Sequence, residues 1–164
     1  MGQFTLNKDN AHFLGTAFPQ RLKINGTNFP LSVLRYPVSV IRSSFWALPA
    51  ENYSSNPNVR IYWYADNATS GVVRWDVAIA AITGNVDTGD VETKAFAAVT
   101  AGDDTHLGSG AQRLHFIDIV PANLDSLAAA DAAVMRIRRE GTHANDTMAN
   151  GANFWFALLT WTDA

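Results

Sequence analysis

The chain has no cysteine, which excludes disulfides and thiolate metal sites. It is also poor in charge. Acidic and basic residues make up 16% of the 164 positions, and the net charge is -3. No basic run exceeds Arg138-Arg139, so nucleic-acid binding through phosphate contacts is disfavoured. No apolar stretch approaches the roughly 20 residues needed to span a bilayer as a helix. The stretch from Met1 to Asn10 lacks the basic-then-apolar pattern of a secretory signal. Leu6 stands where a myristoylation signal requires Ser or Thr. These absences predict a soluble protein made in a cytoplasm without an export signal.

Catalytic signatures are equally scarce. There is no Gly-x-Ser-x-Gly, phosphate loop or dinucleotide fingerprint. The histidines His12, His106, His115 and His143 show no metal-ligand spacing and read as surface or loop residues. Asp87, Asp90, Asp103 and Asp104 fall in two turn-rich loops without an Asp-x-Asp-x-Asp pattern, so they read as turn residues rather than calcium ligands. Fifteen acidic residues are too scattered to pick out a glycosidase pair. The expectation is a protein without cofactor, metal or catalytic residues, and not an enzyme.

What is present is apolar alternation, with 11% aromatic residues in a chain long enough for one domain. The stretch Val59 to Ile82 is its centre. Val59, Ile61, Trp63 and Ala65 share one parity, and Val73, Trp75, Val77, Ile79 and Ala81 share another. Period-two alternation of β-branched and aromatic residues means strands with one buried face. The break Asp66-Asn67-Ala68-Thr69-Ser70-Gly71 predicts an antiparallel hairpin, with Trp63 and Trp75 in the core on neighbouring strands.

Further strands are expected over Arg21–Ile24, Val40–Leu48, Glu92–Thr100, Gln112–Val120, Val134–Arg138 and Asn153–Trp161. Asn123 is positioned to cap a short helix of one or two turns. About eight strands separated by Gly/Pro/Asn/Asp loops predict an all-β antiparallel sandwich or barrel. Asp118 shares a parity with Leu114 and Phe116; it needs a partner if buried and reads as a strand-end position reaching solvent.

Two stretches point outward. Residues 1–18, with Phe4, Leu6, Phe13 and Phe18 scattered among polar positions, read either as an extended N-terminal arm or as a frayed terminus. Residues 19–164 form the folded domain. In the last strand, Phe154, Phe156 and Leu158 share one face while Trp155, Leu159 and Trp161 share the other. A strand apolar on both faces must be covered twice. Another subunit, the arm or a loop of the same chain would supply the second cover. Phe4, Leu6, Phe13, Phe18, Trp155 and Trp161 are therefore the candidate contact residues.

The run Asn58 to Ala65, followed by Ser70-Gly71-Val72-Val73-Arg74-Trp75-Asp76-Val77, resembles a group of tailed-bacteriophage virion proteins. So do Val134 to Thr142, Asn145-Asp146-Thr147-Met148 and the closing aromatic strand. The likeness extends from about Val40 to Trp161. It implies a jelly-roll domain, usually trimeric, on the virion. Capsid decoration (cement) proteins are the nearest members in this resemblance, with baseplate and fibre jelly rolls similar. It implies a structural homotrimer on the outer capsid surface that contacts the major capsid protein and is made in the bacterial host cytoplasm. The alternative is a carbohydrate- or receptor-binding jelly roll of a tail, baseplate or fibre. Cement would bury its aromatics between chains or against the shell, whereas a sugar binder would leave a Trp or Tyr platform in an open cleft.

Overall fold

The alternating pattern becomes ten strands in the computed structural model, which describes residues 1–67, 69–108 and 112–164. They are β1 (Gly2–Asn7), β2 (Gln20–Asn25), β3 (Pro30–Tyr36), β4 (Ile41–Pro49), β5 (Tyr53–Ala65), β6 (Gly71–Ile82), β7 (Thr100–His106), β8 (His115–Ile119), β9 (Ala132–Glu140) and β10 (Ala152–Asp163). A 3-10 turn spans Val91–Thr93, capped by the Asp90 carboxylate, which accepts from the Glu92 N–H. No helix among the described residues is long and apolar enough to cross a membrane.

The strands form two antiparallel sheets packed as a jelly-roll sandwich; the alternation predicts an antiparallel sandwich or barrel, and the resemblance to phage virion proteins implies the jelly roll. The large sheet runs β2-β3-β10-β5-β8, with β1 also paired to β10; the small sheet runs β4-β9-β6-β7. Trp46, Trp63, Trp75, Tyr36 and Phe154 are fully buried between them. Tyr36 meets Trp75 edge to face at 5.1 Å, and Trp46 lies 5.5 Å from Phe154. Such pairs add to the area term that drives the sheets together.

The expected hairpin does not form. β5 lies in the large sheet between β10 and β8, and β6 lies in the small sheet between β9 and β7. Trp63 and Trp75 are both in the core, but they meet across it at 6.3 Å and 61° rather than side by side. Parity reports which face of a strand is buried and is silent on which strand lies beside it.

Three smaller expectations also change. The Asn123 side chain accepts from the Asp125 N–H at 3.0 Å in a tight turn. Asp125 and Ser126 then take positive φ, so no helix starts there. Between Glu92 and Thr100, the chain is a 3-10 turn followed by irregular backbone. Asp103 and Asp104, expected in a turn-rich loop, lie with Gly102 inside β7. Gly102 faces inward, where a Cβ would come within 2.7 Å of the Ile117 side chain.

The start of the expected arm belongs to the sandwich. β1 pairs with β10 from Gly2 opposite Trp161 to Asn7 opposite Phe156. Leu6 is fully buried and Phe4 packs on the core. The His12 N–H and carbonyl bridge to Phe45 of β4 at 2.7 and 3.0 Å. β5 occupies one edge of β10 along its length, while β3 takes only Ala152 to Phe154 on the other edge. The rest of that edge would be left as unpaired backbone, and β1 fills it.

A buried ion pair ties down the loop after β9. Arg139 is fully buried and grips Asp146 through two bonds of 2.9 and 2.7 Å. It also donates to the carbonyls of Asn150 and Met148, both at 2.8 Å. Two separated stretches, Arg138 to Thr142 and Asn145 to Met148, are thus joined by one guanidinium.

Candidate functional site

A β-bulge organises the outer face of the large sheet. Phe154 pairs with Trp63 and Phe156 with Tyr62, so Trp155 is an extra residue in β10. The bulge reverses parity. Phe154, Ala157, Leu159 and Trp161 face the core, and Trp155, Phe156 and Leu158 face outward. The grouping of Trp155 with Trp161 on one face is corrected accordingly. Trp161 is 8% exposed and belongs to the core, packed over Gly2, where no side chain would fit. Trp155 remains half-buried on the outer surface.

Register carries the outer face across the sheet. Tyr62 and Tyr64 of β5, Phe116 and Asp118 of β8, and Leu31 and Val33 of β3 share it. An aromatic row results. Trp155 lies 5.1 Å from Phe156, Phe156 stacks on Tyr62 at 4.5 Å, and Tyr62 lies 5.9 Å from Phe116. Arg60 covers Phe116 at 4.5 Å and holds Asp118 through bonds of 2.9 and 2.8 Å. These bonds keep the Asp118 carboxyl below its ordinary value, against the effect of burial. Asp118 thus reaches the surface and is also paired.

Beside this row lies an open groove of about 310 Å3, walled by Trp155, Tyr64 and Phe29 over Leu31, with Gln112 and Leu114 opposite. Tyr64 is only 8% exposed and lies outside the central core. Its hydroxyl has no hydrogen-bond partner among the described residues. Burial raises the Tyr64 pKa, and the nearby Asp66 charge adds to this, so the hydroxyl stays a neutral donor. Asp66 organises the polar end. It accepts from Asn153 at 2.8 Å, its carbonyl accepts from Gln112 at 2.7 Å, and its carboxylate pairs with Arg35. The described residues lining this groove are mainly aromatic and aliphatic, with Gln112 and Tyr64 as the polar side chains.

The remaining candidates lie elsewhere. Phe13 and Phe18 contact each other at 5.4 Å, and Arg21 lies over Phe13 at 4.6 Å. Phe18 is 42% exposed. His106 is not a surface residue. It is fully buried, its ring 4.8 Å from that of His115, with Trp63 beside both. Trp63 donates to Asp104 at 2.7 Å, and burial raises the Asp104 carboxyl. His143 lies in the turn after β9, where its Nδ1 accepts from the Asn145 N–H at 3.1 Å. Asp87 accepts from the Thr83 N–H at 2.9 Å, and Asp103 pairs with Arg74 at 2.7 Å.

The outer face of the small sheet is different. Arg74 and Arg138 bracket Glu140 at 2.9 and 2.7 Å, and Arg138 also pairs with the fully buried Asp76. Burial pushes the Asp76 carboxyl up to about 6, with Arg138 acting in the opposite direction. Further along this face, Phe13, Leu14, Phe45, Val91, Phe96 and Val134 line an apolar hollow of about 460 Å3.

Parity placed Tyr62 and Tyr64 together on the outer face. The burial of Tyr64, the bulge and the approach of Phe29 from the β2–β3 turn left no pattern in the sequence.

No protein-family model matches the chain, and no curated protein matches it by sequence. Several solved structures align with most of the chain at low similarity. One is a family 11 carbohydrate-binding module from Clostridium thermocellum in complex with a β-1,3-1,4-mixed-linked tetrasaccharide. It has 11% identity and a TM-score of 0.48, with 98% of this chain and 88% of that one covered. Another is a non-crystalline cellulose specific carbohydrate-binding module, CBM28, with 7% identity, a TM-score of 0.48 and coverage of 94% and 89%. A third, TmCBM61 in complex with β-1,4-galactotriose, has 9% identity, a TM-score of 0.38 and coverage of 95% and 86%. Likeness at this level transfers neither residues nor ligand to this chain.

Proposed function

We propose that this chain is a non-catalytic jelly-roll module that binds a carbohydrate in the groove between Trp155, Tyr64 and Phe29. The observation that carries this reading is the Tyr64 hydroxyl. A buried, unpartnered donor on a residue that lines an aromatic-walled groove is unfavourable unless a shift of the ring brings it a partner, which an arriving ligand would supply. A sugar suits both kinds of wall. Its C–H face packs on an indole, and its hydroxyls accept from Tyr64 and Gln112. The resemblance to tailed-phage proteins supports a place on the tail, baseplate or fibre of a virion, where glycan binding would serve attachment.

The test is a glycan array probed with the intact chain, followed by titration of any bound glycan. Trp155→Ala is expected to abolish binding while the protein stays folded. Retention of full affinity by Trp155→Ala would remove the groove from the proposal.

One observation favours the capsid-cement reading instead. Leu14 and Val91 are 74% and 68% exposed at the apolar hollow on the small sheet. A homotrimer seated on the major capsid protein would cover such a surface. Because β1 is part of the sandwich, the informative change is Leu14→Asp rather than deletion of residues 1–18. Loss of binding to expanded capsids by this variant, with no glycan bound by the wild type, would favour cement.

A further inference from the structure

Trp155 borders more than one groove. On its other side lies a second hollow of about 270 Å3, lined by Thr5, Asn7, Lys8, Asp9, Ser32 and the same Trp155 with Phe156. The topology explains its position. Along one edge of β10, the partner changes from β3, which ends its pairing at Phe154, to β1, which begins at Phe156. Trp155 sits in this gap and pairs with neither. The bulge projects its ring outward where the space between the two strands opens.

The two hollows differ in chemistry. The first offers aromatic and aliphatic walls, with Tyr64 among the residues that line it. The second offers the Thr5 and Ser32 hydroxyls beside the amide, ammonium and carboxylate groups of a fixed turn. Asn7 Oδ1 accepts from the Asp9 and Asn10 N–H groups at 2.8 and 3.2 Å, and Asn10 Nδ2 donates to the Thr5 carbonyl at 2.8 Å. A turn already held by its own bonds loses little entropy when a ligand docks on it. The charged groups lining the second hollow pair with each other, Lys8 with Asp9 at 2.7 Å. An anionic ligand would have to break this pair, whereas hydroxyl groups can bond to it as it stands.

Building on the glycan-binding proposal, we infer that the ligand is an uncharged oligosaccharide chain rather than a single terminal sugar. It lies across Trp155, with one end in the Phe29–Tyr64 groove and the other against the Asn7–Asp9 turn. Trp155 stacks on a middle residue, and the second hollow supplies hydroxyl partners to the next.

The experiment is a titration of the intact protein with neutral oligosaccharides of increasing length from the glycan class bound on the array, and with anionic oligosaccharides of matched length. Affinity is expected to rise about tenfold or more between the single sugar and a chain of about four units, with anionic chains binding more weakly. Lys8→Ala is expected to remove the gain with length. Asp9→Ala, at a more exposed position, is expected to reduce it with an unchanged melting temperature. Equal affinity for single sugars and chains, a preference for anionic chains, or a length gain intact in both variants would overturn the inference and leave the first groove standing. Absence of any glycan binding by the wild type would overturn the carbohydrate proposal itself.

Discussion

Trp155 and Phe156 are neighbours in sequence, yet both rings project from the same face of the sheet, 5.1 Å apart and at 75°. Regular strand geometry would place them on opposite faces. The bulge in β10 puts them together and gives this core strand an aromatic outer surface.

This relationship separates two tryptophans that periodicity alone groups together. Trp161→Ala is expected to destabilise the fold by about 3–5 kcal/mol, because the ring is buried against the core. Trp155→Ala is expected to cost about 1 kcal/mol or less, because the half-buried ring lies outside the core. Urea denaturation of both variants checks this. A larger loss for Trp155 than for Trp161 would contradict the bulged register.

Trp75 is fully enclosed by Tyr36, Trp63 and Phe154. Trp75→Ala is expected to cost about 3–5 kcal/mol by the same measurement. A loss under about 1 kcal/mol would contradict the packing across the two sheets.

Arg139 and Asp146 form a buried pair, and removing one partner leaves the other charged and unmatched. Arg139→Met is expected to cost about 3–5 kcal/mol and to loosen residues 142–151. Amide hydrogen exchange in that loop reports the second effect. Unchanged protection would show that the loop is held by other contacts.

His115 gives a pH dependence. Burial lowers its pKa below the ordinary imidazole value, with Asp104 acting in the opposite sense. The unfolded chain therefore takes up a proton at this site more readily than the folded one. Stability from this group is complete above the unfolded value near about 6.5 and falls as the pH drops through it. The raised Asp104 carboxyl has the opposite effect, in a lower window that begins near the unfolded carboxylate value of about 4. The melting temperature is expected to fall between about pH 7.5 and pH 6, and His115→Gln is expected to flatten that fall. The Asp76 carboxyl, raised to about 6 by burial, works against this fall near its lower end, so the decisive comparison is between the two proteins, and identical wild-type and His115→Gln profiles would contradict the burial of this ring.

The fold was legible where burial follows parity. Val59 to Ala65 and Val73 to Ala81 alternate cleanly, and both place their tryptophans in the core. Pairing was not legible, because a side chain's parity carries no record of its neighbouring strand. Trp63 and Trp75 thus looked like hairpin partners and lie in opposite sheets. The early apolar residues were misleading for a related reason. Phe4 and Leu6 read as a free arm because β1 is short, while the open edge of β10 that receives it is more than a hundred residues away. The site was half visible. Tyr62 and Tyr64 had the right parity, but one extra residue at Trp155 decides which side chains join them, and Phe29 arrives from a turn with no periodicity at all.

The most direct measurement is the calorimetric affinity of Tyr64→Phe for a glycan bound by the wild type, read beside its stability. The substitution removes only the unpartnered hydroxyl. Stability is expected to stay equal or rise slightly, since no bond within the protein is lost, while affinity falls about tenfold, the scale of one lost hydrogen bond. Wild-type affinity in Tyr64→Phe would contradict the assignment of the groove.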